Sequence, residues 1–107
     1  MLLKGLAVTS AEPSVLAPGL PTIAASGLPE YEAIAILGIF APARTPAMLV
    51  DRLSQEMTRV LKRPEVRERF LNAGSEAVGS TPEQLTLMMK SEMPKWRKVI
   101  KDANIHD

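Results

Sequence analysis

Cysteine is absent from this chain, which excludes disulfides, thiolate chemistry and cysteine-based zinc sites and leaves packing as the source of stability. Histidine occurs once, at His106, one residue from the end of the chain, where fraying is the default and a catalytic or metal role has little to stand on. Charge of one sign is missing too: a formal net charge of +1 gives no overall electrostatic case for nucleic acid or an anionic membrane as partner. Long apolar runs are lacking as well. AIAILGIFAPA, residues 33–43, is about half the roughly 20 residues a spanning helix needs, and Pro42 ends it, so no membrane insertion is expected. The N-terminal MLLKGLAVTSA has the look of a signal peptide, but Lys4 and Gly5 interrupt its apolar run, so the chain as given is expected to lack one and to be cytoplasmic.

With 107 residues, 46% of them hydrophobic and 23% charged, the composition is that of one soluble globular domain. Its two parts differ. Residues 1–46 hold five charges and six prolines, whereas residues 47–107 hold the other twenty charges and three prolines. The chain therefore divides into a strand and turn segment, 1–46, and a helical segment, 47–107, within a single partial domain. In the first, LKGLAVTS and AIAILGIF are compact apolar runs that predict two strands, near residues 5–10 and 35–41, covered on both faces. Prolines 13, 18, 21 and 29 restrict the connection to turns and one-turn helices.

The second segment announces three helices by Thr45-Pro46, Arg63-Pro64 and Thr81-Pro82, each placing Pro at the first helical position, where its missing N–H costs nothing. Thr81 with Gln84 forms a capping box. Leu49, Val50, Leu53, Met57, Val60 and Leu61 make a one-sided stripe on the first helix, and Gly74 stops the second after Val66, Phe70 and Leu71. The third keeps the phase of its stripe from Leu85 through Trp96 to Ala103 across Pro94, which predicts one kinked helix rather than two. The fold class that follows is α/β, a small sheet of two principal strands covered by three helices.

The residues offer little chemistry. Glu30 and Glu32 flank Tyr31 and share a face if extended, but no third group stands by to shift a carboxyl, and a solvated turn is the simpler reading. Lys90, Lys95, Arg97, Lys98 and Lys101 surround Trp96 in the manner of a nucleic-acid helix. Trp96 lies on the apolar stripe, however, which favours a packed Trp among snorkelling cations over nucleic acid as partner. There is no phosphate-binding glycine loop and no nucleophile with a base, so no enzyme, no cofactor and no metal is expected.

LAVTSAEPS, LPTIAASGLPEYEA, GIFAPARTP, the PEVRERF helix, GSEAVGSTPEQL and the closing KWRKVIKDANI, in that order, resemble the extracytoplasmic solute receptors of the tripartite tricarboxylate transporter system, the Bug family. The resemblance spans nearly the whole chain and corresponds to about the last third of such a receptor. It departs from the family pattern at Ala25, followed by Ser26, where an acidic residue is common, at Glu30 and Arg44, where Gly is usual, and at Ile36, where Trp is typical. What it implies is part of a two-domain periplasmic binding protein of type II, a periplasmic address for the family, a small carboxylate as solute and a membrane permease as partner. Solute contact, if retained, is expected at Thr9, Ser10 and Tyr31. The alternative is that Thr9 and Ser10 cap the following turn while Tyr31 packs on the sheet. Two readings of function follow: a truncated receptor segment with little solute binding of its own, or a free-standing interaction module that docks on a transporter or sensor partner or self-associates as a homo-oligomer. Self-association is expected to give a dimer, by pairing through the open edge of AIAILGIF or by exchange of the first strand or last helix.

Overall fold

The computed structural model describes residues 2–106. It contains a one-turn 3-10 helix, Ala24–Ser26, and three α-helices, α1 (Ala47–Leu61), α2 (Pro64–Asn72) and α3 (Pro82–Asp102). The chain divides into two compact units, residues 1–37 with 69–76, and residues 38–68 with 77–107.

The three helices stand where the prolines announce them, and the reasons are local. Pro64 and Pro82 are first helical residues, whereas Pro46 is the cap itself, with φ −54° and ψ 136°, and α1 opens one residue later. There the hydroxyl of Thr45 donates to the Pro42 carbonyl at 2.7 Å and closes the preceding turn instead of capping the helix. The capping box of α3 is complete: Thr81 Oγ1 accepts from the Gln84 N–H at 3.1 Å, and the Gln84 side chain accepts from the Thr81 N–H at 2.9 Å. Helix α3 then runs through Pro94 without interruption.

Two helices end by the same device. After α2, Gly74 takes the left-handed conformation (φ 86°) while its N–H donates to Leu71 O and that of Ser75 to Phe70 O. After α3, Asn104 takes the left-handed place (φ 53°), with its N–H on Lys101 O and that of Ile105 on Ile100 O. Both follow the double bond of a Schellman cap, which satisfies carbonyls the helix leaves over.

The expected sheet is not formed. Among the described residues there is no β-strand, only an isolated parallel bridge between Val8 and Thr22. Val8 donates to Pro21 O and accepts from the Ile23 N–H, each at 2.9 Å. Extending that ladder backwards requires Pro21 to donate to Leu6 O, and Pro21 has no N–H. Extending it forwards requires an extended chain at Ala24, where the 3-10 turn begins. The second expected strand fails for want of a neighbour. Residues 31–42 contain no turn or bend, yet Ile34 to Ala41 make no backbone hydrogen bond among the described residues. The α/β class is therefore replaced by three helices joined to non-repetitive segments.

The helical stripes are covered only in part. No described apolar residue is buried; the one buried residue is Thr22, at 4% exposure. Within the second unit α1 and α3 touch each other, and Val50, Met57, Leu61, Leu85 and Met88 are half-covered, while Leu49, Leu53, Val99 and Ile100 stay exposed. Amphipathic stripes of this kind need a further layer to become a core.

Replacing Thr81 by Ala removes the hydroxyl arm of the α3 capping box and is expected to cost about 1 kcal/mol. Denaturant unfolding followed by helical circular dichroism measures it; Thr45→Ala, whose hydroxyl caps no helix, is expected to cost less.

Candidate functional site

In the first unit the parallel bridge holds Val8 against Thr22, and the following residue, Thr9, accepts from the Ala33 N–H at 2.8 Å. This brings the segment carrying Thr9 and Ser10 alongside the one carrying Tyr31. The three expected contact residues therefore share one neighbourhood, but their polar groups are differently engaged. Ser10 Oγ donates to the Glu12 carbonyl at 2.7 Å within a bend, the turn-capping alternative. Thr9 is exposed and Ser10 half-buried. Tyr31 closes a turn through its N–H on Leu28 O at 3.1 Å, and its side chain is 40% exposed.

The polar residue on which this neighbourhood turns is Thr22, which sequence reasoning passed over. Its Oγ1 accepts from the Ala25 N–H at 3.0 Å and its carbonyl accepts from Ser26 Oγ at 2.7 Å, so one Thr ties down the 3-10 turn through both its hydroxyl and its carbonyl. The signal was present in PTIAAS, a Thr three residues before an N–H that needs an acceptor. In the same unit Ser14 Oγ donates to Glu76 Oε1 at 3.0 Å, tying the proline-rich connection to the stretch after α2.

Two of the departures from the family pattern fall on left-handed backbone. Glu30 has φ 67° and Arg44 φ 72°, the region in which a Cβ meets the following carbonyl and glycine is preferred. The usual Gly at these two places thus has a steric cause, and both turns persist here with a side chain in the strained position.

The second unit carries a shallow groove of about 470 Å3, lined by Ser54, Thr58 and Arg59 from α1, by Lys62 just after it, and by Gly79, Ser80, Thr81 and Gln84 at the start of α3. Ser54 Oγ donates to Ser80 O at 3.3 Å across its floor. Gly79 has φ 67°, and a Cβ on it would stand 3.4 Å from Thr58 Cγ2, so glycine lets the loop lie against α1. Arg59 is paired with Glu56 one turn back. The hydroxyls and the two cations can hydrogen-bond a solute from one side only. None of Thr9, Ser10 and Tyr31 lines this groove.

Trp96 does not lie free for stacking. Its Nε1 donates to Glu92 Oε2 at 2.7 Å, Lys95 Nζ sits 5.5 Å from the ring centroid, and Lys98 pairs with Asp102 at 2.9 Å. Among the described residues no group of three or more His, Cys, Asp or Glu is placed to hold a metal ion, and no helix is long and apolar enough to cross a membrane.

The family described as the tripartite tricarboxylate transporter family receptor matches residues 2–105. A UPF0065 protein from the tcbD-tcbE intergenic region of Pseudomonas sp. strain P51 is 36% identical over 104 residues, covering 96% of this chain and 31% of that protein. A second, from the clcB-clcD intergenic region of Pseudomonas knackmussii, is 34% identical over 98 residues, covering 91% of this chain and 58% of its own length. Protein BugT of Bordetella pertussis is 29% identical over 101 residues, covering 94% and 31%. The chain thus spans about a third of the first relative and of BugT. No solved structure matches.

Relief of the left-handed strain can be measured. The conformation costs a residue with a Cβ about 1–2 kcal/mol, of which glycine's looser unfolded state gives back about 0.4–1. Glu30→Gly is expected to stabilise the chain by about 0.5–1 kcal/mol in denaturant unfolding, and Glu30→Ala to leave it nearly unchanged.

Proposed function

Because the chain belongs to the tripartite tricarboxylate transporter receptor family, we propose that it is a non-enzymatic segment of a carboxylate-uptake receptor with little solute binding of its own. The observation that carries this reading is the family match over residues 2–105 set against the 31% of the first relative that the chain spans. The physical support is the absence of enclosure. Small anions are held in clefts that bury most of the ligand and offer polar groups from opposing walls. Thr9, Ser10 and Tyr31 lie on open turns of one unit, Ser10 already engaged with Glu12, and the groove of the other unit approaches a solute from one side. The proposed solute class is a small carboxylate and the proposed partner a membrane permease, reached from the periplasm, both in the setting of a longer receptor.

A second reading is favoured by one specific observation. Leu37 is 88% exposed, Ile39 75% and Phe40 63%, in a stretch without a charge. Apolar surface of that extent on an unpaired segment suits a homo-oligomeric interaction module.

Calorimetric titration of the chain with citrate, succinate, glutamate and an aromatic acid is expected to show no heat of specific binding. A micromolar dissociation constant for any of them would overturn the first reading.

A further inference from the structure

We propose that the run between Glu32 and Arg44 is the surface by which two copies of this chain join, paired antiparallel about a two-fold axis at Gly38. The inference rests on the second reading above and adds the surface, the register and the symmetry.

The run is prepared for pairing. Residues 31–42 pass without turn or bend, Ile34 to Ala41 have no backbone partner among the described residues, and residues 33–43 carry no charge. Such an edge is a template for another strand, and the described residues contain no strand to meet it.

Its sequence is self-matching about Gly38. Antiparallel pairing through that residue sets Leu37 opposite Ile39 of the second copy, Ile36 opposite Phe40 and Ala35 opposite Ala41, and it brings Glu32 to the Ala43–Arg44 turn. Large apolar residues then face large ones, alanines face alanines, and the first charge on one side meets the opposite charge on the other. Cross-strand pairs of these kinds each favour the register, and a slip by one residue sets them all out of step.

The backbone agrees. In an extended chain alternate residues aim their N–H and C=O at opposite edges. The Ala33 N–H is engaged by Thr9 O, so once the run pairs as a strand Ile34, Ile36, Gly38 and Phe40 are the residues that address the other edge. In the proposed register these are the residues that bond across the axis, Ile36 with Phe40 and Gly38 with Gly38. The next position, Ile34 against Pro42, ends the ladder because Pro42 has no N–H. Gly38 also suits the axis, since a Cβ there would already stand 3.3 Å from Leu85 Cδ2 and from the Phe40 ring.

Surface is available for the union. The chain exposes 9371 Å2, whereas even two separate compact bodies of the sizes of its two units would expose about 7,000 Å2. The surplus of about 2,000 Å2 exceeds the roughly 800 Å2 that each partner gives up in a stable complex.

The lack of cysteine makes the register directly testable. Opposed Cα atoms in an antiparallel pair lie about 5.5 Å apart where the pair is hydrogen-bonded, as at Gly38, and about 4.5 Å where it is not, as at Ala35 and Ala41, both within disulfide range. Under copper-phenanthroline oxidation Gly38→Cys is expected to give a covalent dimer, and so is the double variant Ala35→Cys/Ala41→Cys, which leaves Gly38 and its close contacts untouched. Ala35→Cys alone is expected to stay uncrosslinked. In light scattering, Glu32→Arg is expected to weaken self-association at least tenfold and Glu32→Arg/Arg44→Glu to restore it. A wild-type mass near 11.6 kDa at micromolar concentration, with helical circular dichroism intact, would overturn this inference and the second reading together. An oligomer in which neither Gly38→Cys nor the double variant crosslinks would overturn the inference and leave the second reading standing. Neither result bears on the first reading, which the calorimetric titration tests.

Discussion

Every backbone N–H and C=O that leaves a helix or a turn has to be paired or wetted, and in this chain the apolar segments find almost no protein to pair with. Helices escape the constraint by bonding to themselves, so α1, α2 and α3 form completely. Strands cannot escape it. The parallel bridge between Val8 and Thr22 is as much sheet as the described residues build, stopped on one side by an imide nitrogen and on the other by the 3-10 turn that Thr22 ties down. From this shortage of neighbours follows the thin cover over the apolar stripes, for a sheet would have been the layer against which α1 and α3 pack.

What could be read from the sequence divides along the same line. Thr81 and Gln84 are three residues apart and satisfy one another, Gly74 supplies its own positive φ, and Pro82 fixes its own torsion; each signal and its cause lie within a few residues. The continuation of α3 past Pro94 was legible as well, because the stripe keeps its phase from Met89 to Trp96. The strand in AIAILGIF was misread because β-propensity describes how a segment fits a pleated surface, not whether that surface exists. Apolar composition named the right segment and could not provide it with a partner.

The candidate site was legible in part. Thr9 and Ser10 were named at the end of the first apolar run and Tyr31 in the turn, as separate candidates, and the Thr9 to Ala33 hydrogen bond puts their segments side by side. Thr22 was missed because the Thr of PTIAAS signals an acceptor for the Ala25 N–H only once a turn is known to form there, and nothing in the sequence marks the use of its carbonyl. Glu30 and Arg44 were recognised as departures from a glycine pattern, but only the backbone angles show why glycine belongs there. Both turns hold the left-handed conformation against the preference of the residues they contain, which indicates that the surrounding chain, and not the turn residue, sets these angles.

The uncharged stretch from Ala33 to Ala41 has a consequence for handling as well as for assembly. It combines β-branched and aromatic residues with no proline inside it, the composition of segments that stack into cross-β fibrils when left open. Glu32, Pro42 and Arg44 stand at its borders as gatekeepers, charges and an imide that resist indefinite stacking. A chain guarded only at the two ends of such a stretch has a ceiling on the concentration at which it stays dispersed. Ionic strength should lower that ceiling, because salt screens the two guarding charges and leaves the apolar stretch between them unchanged.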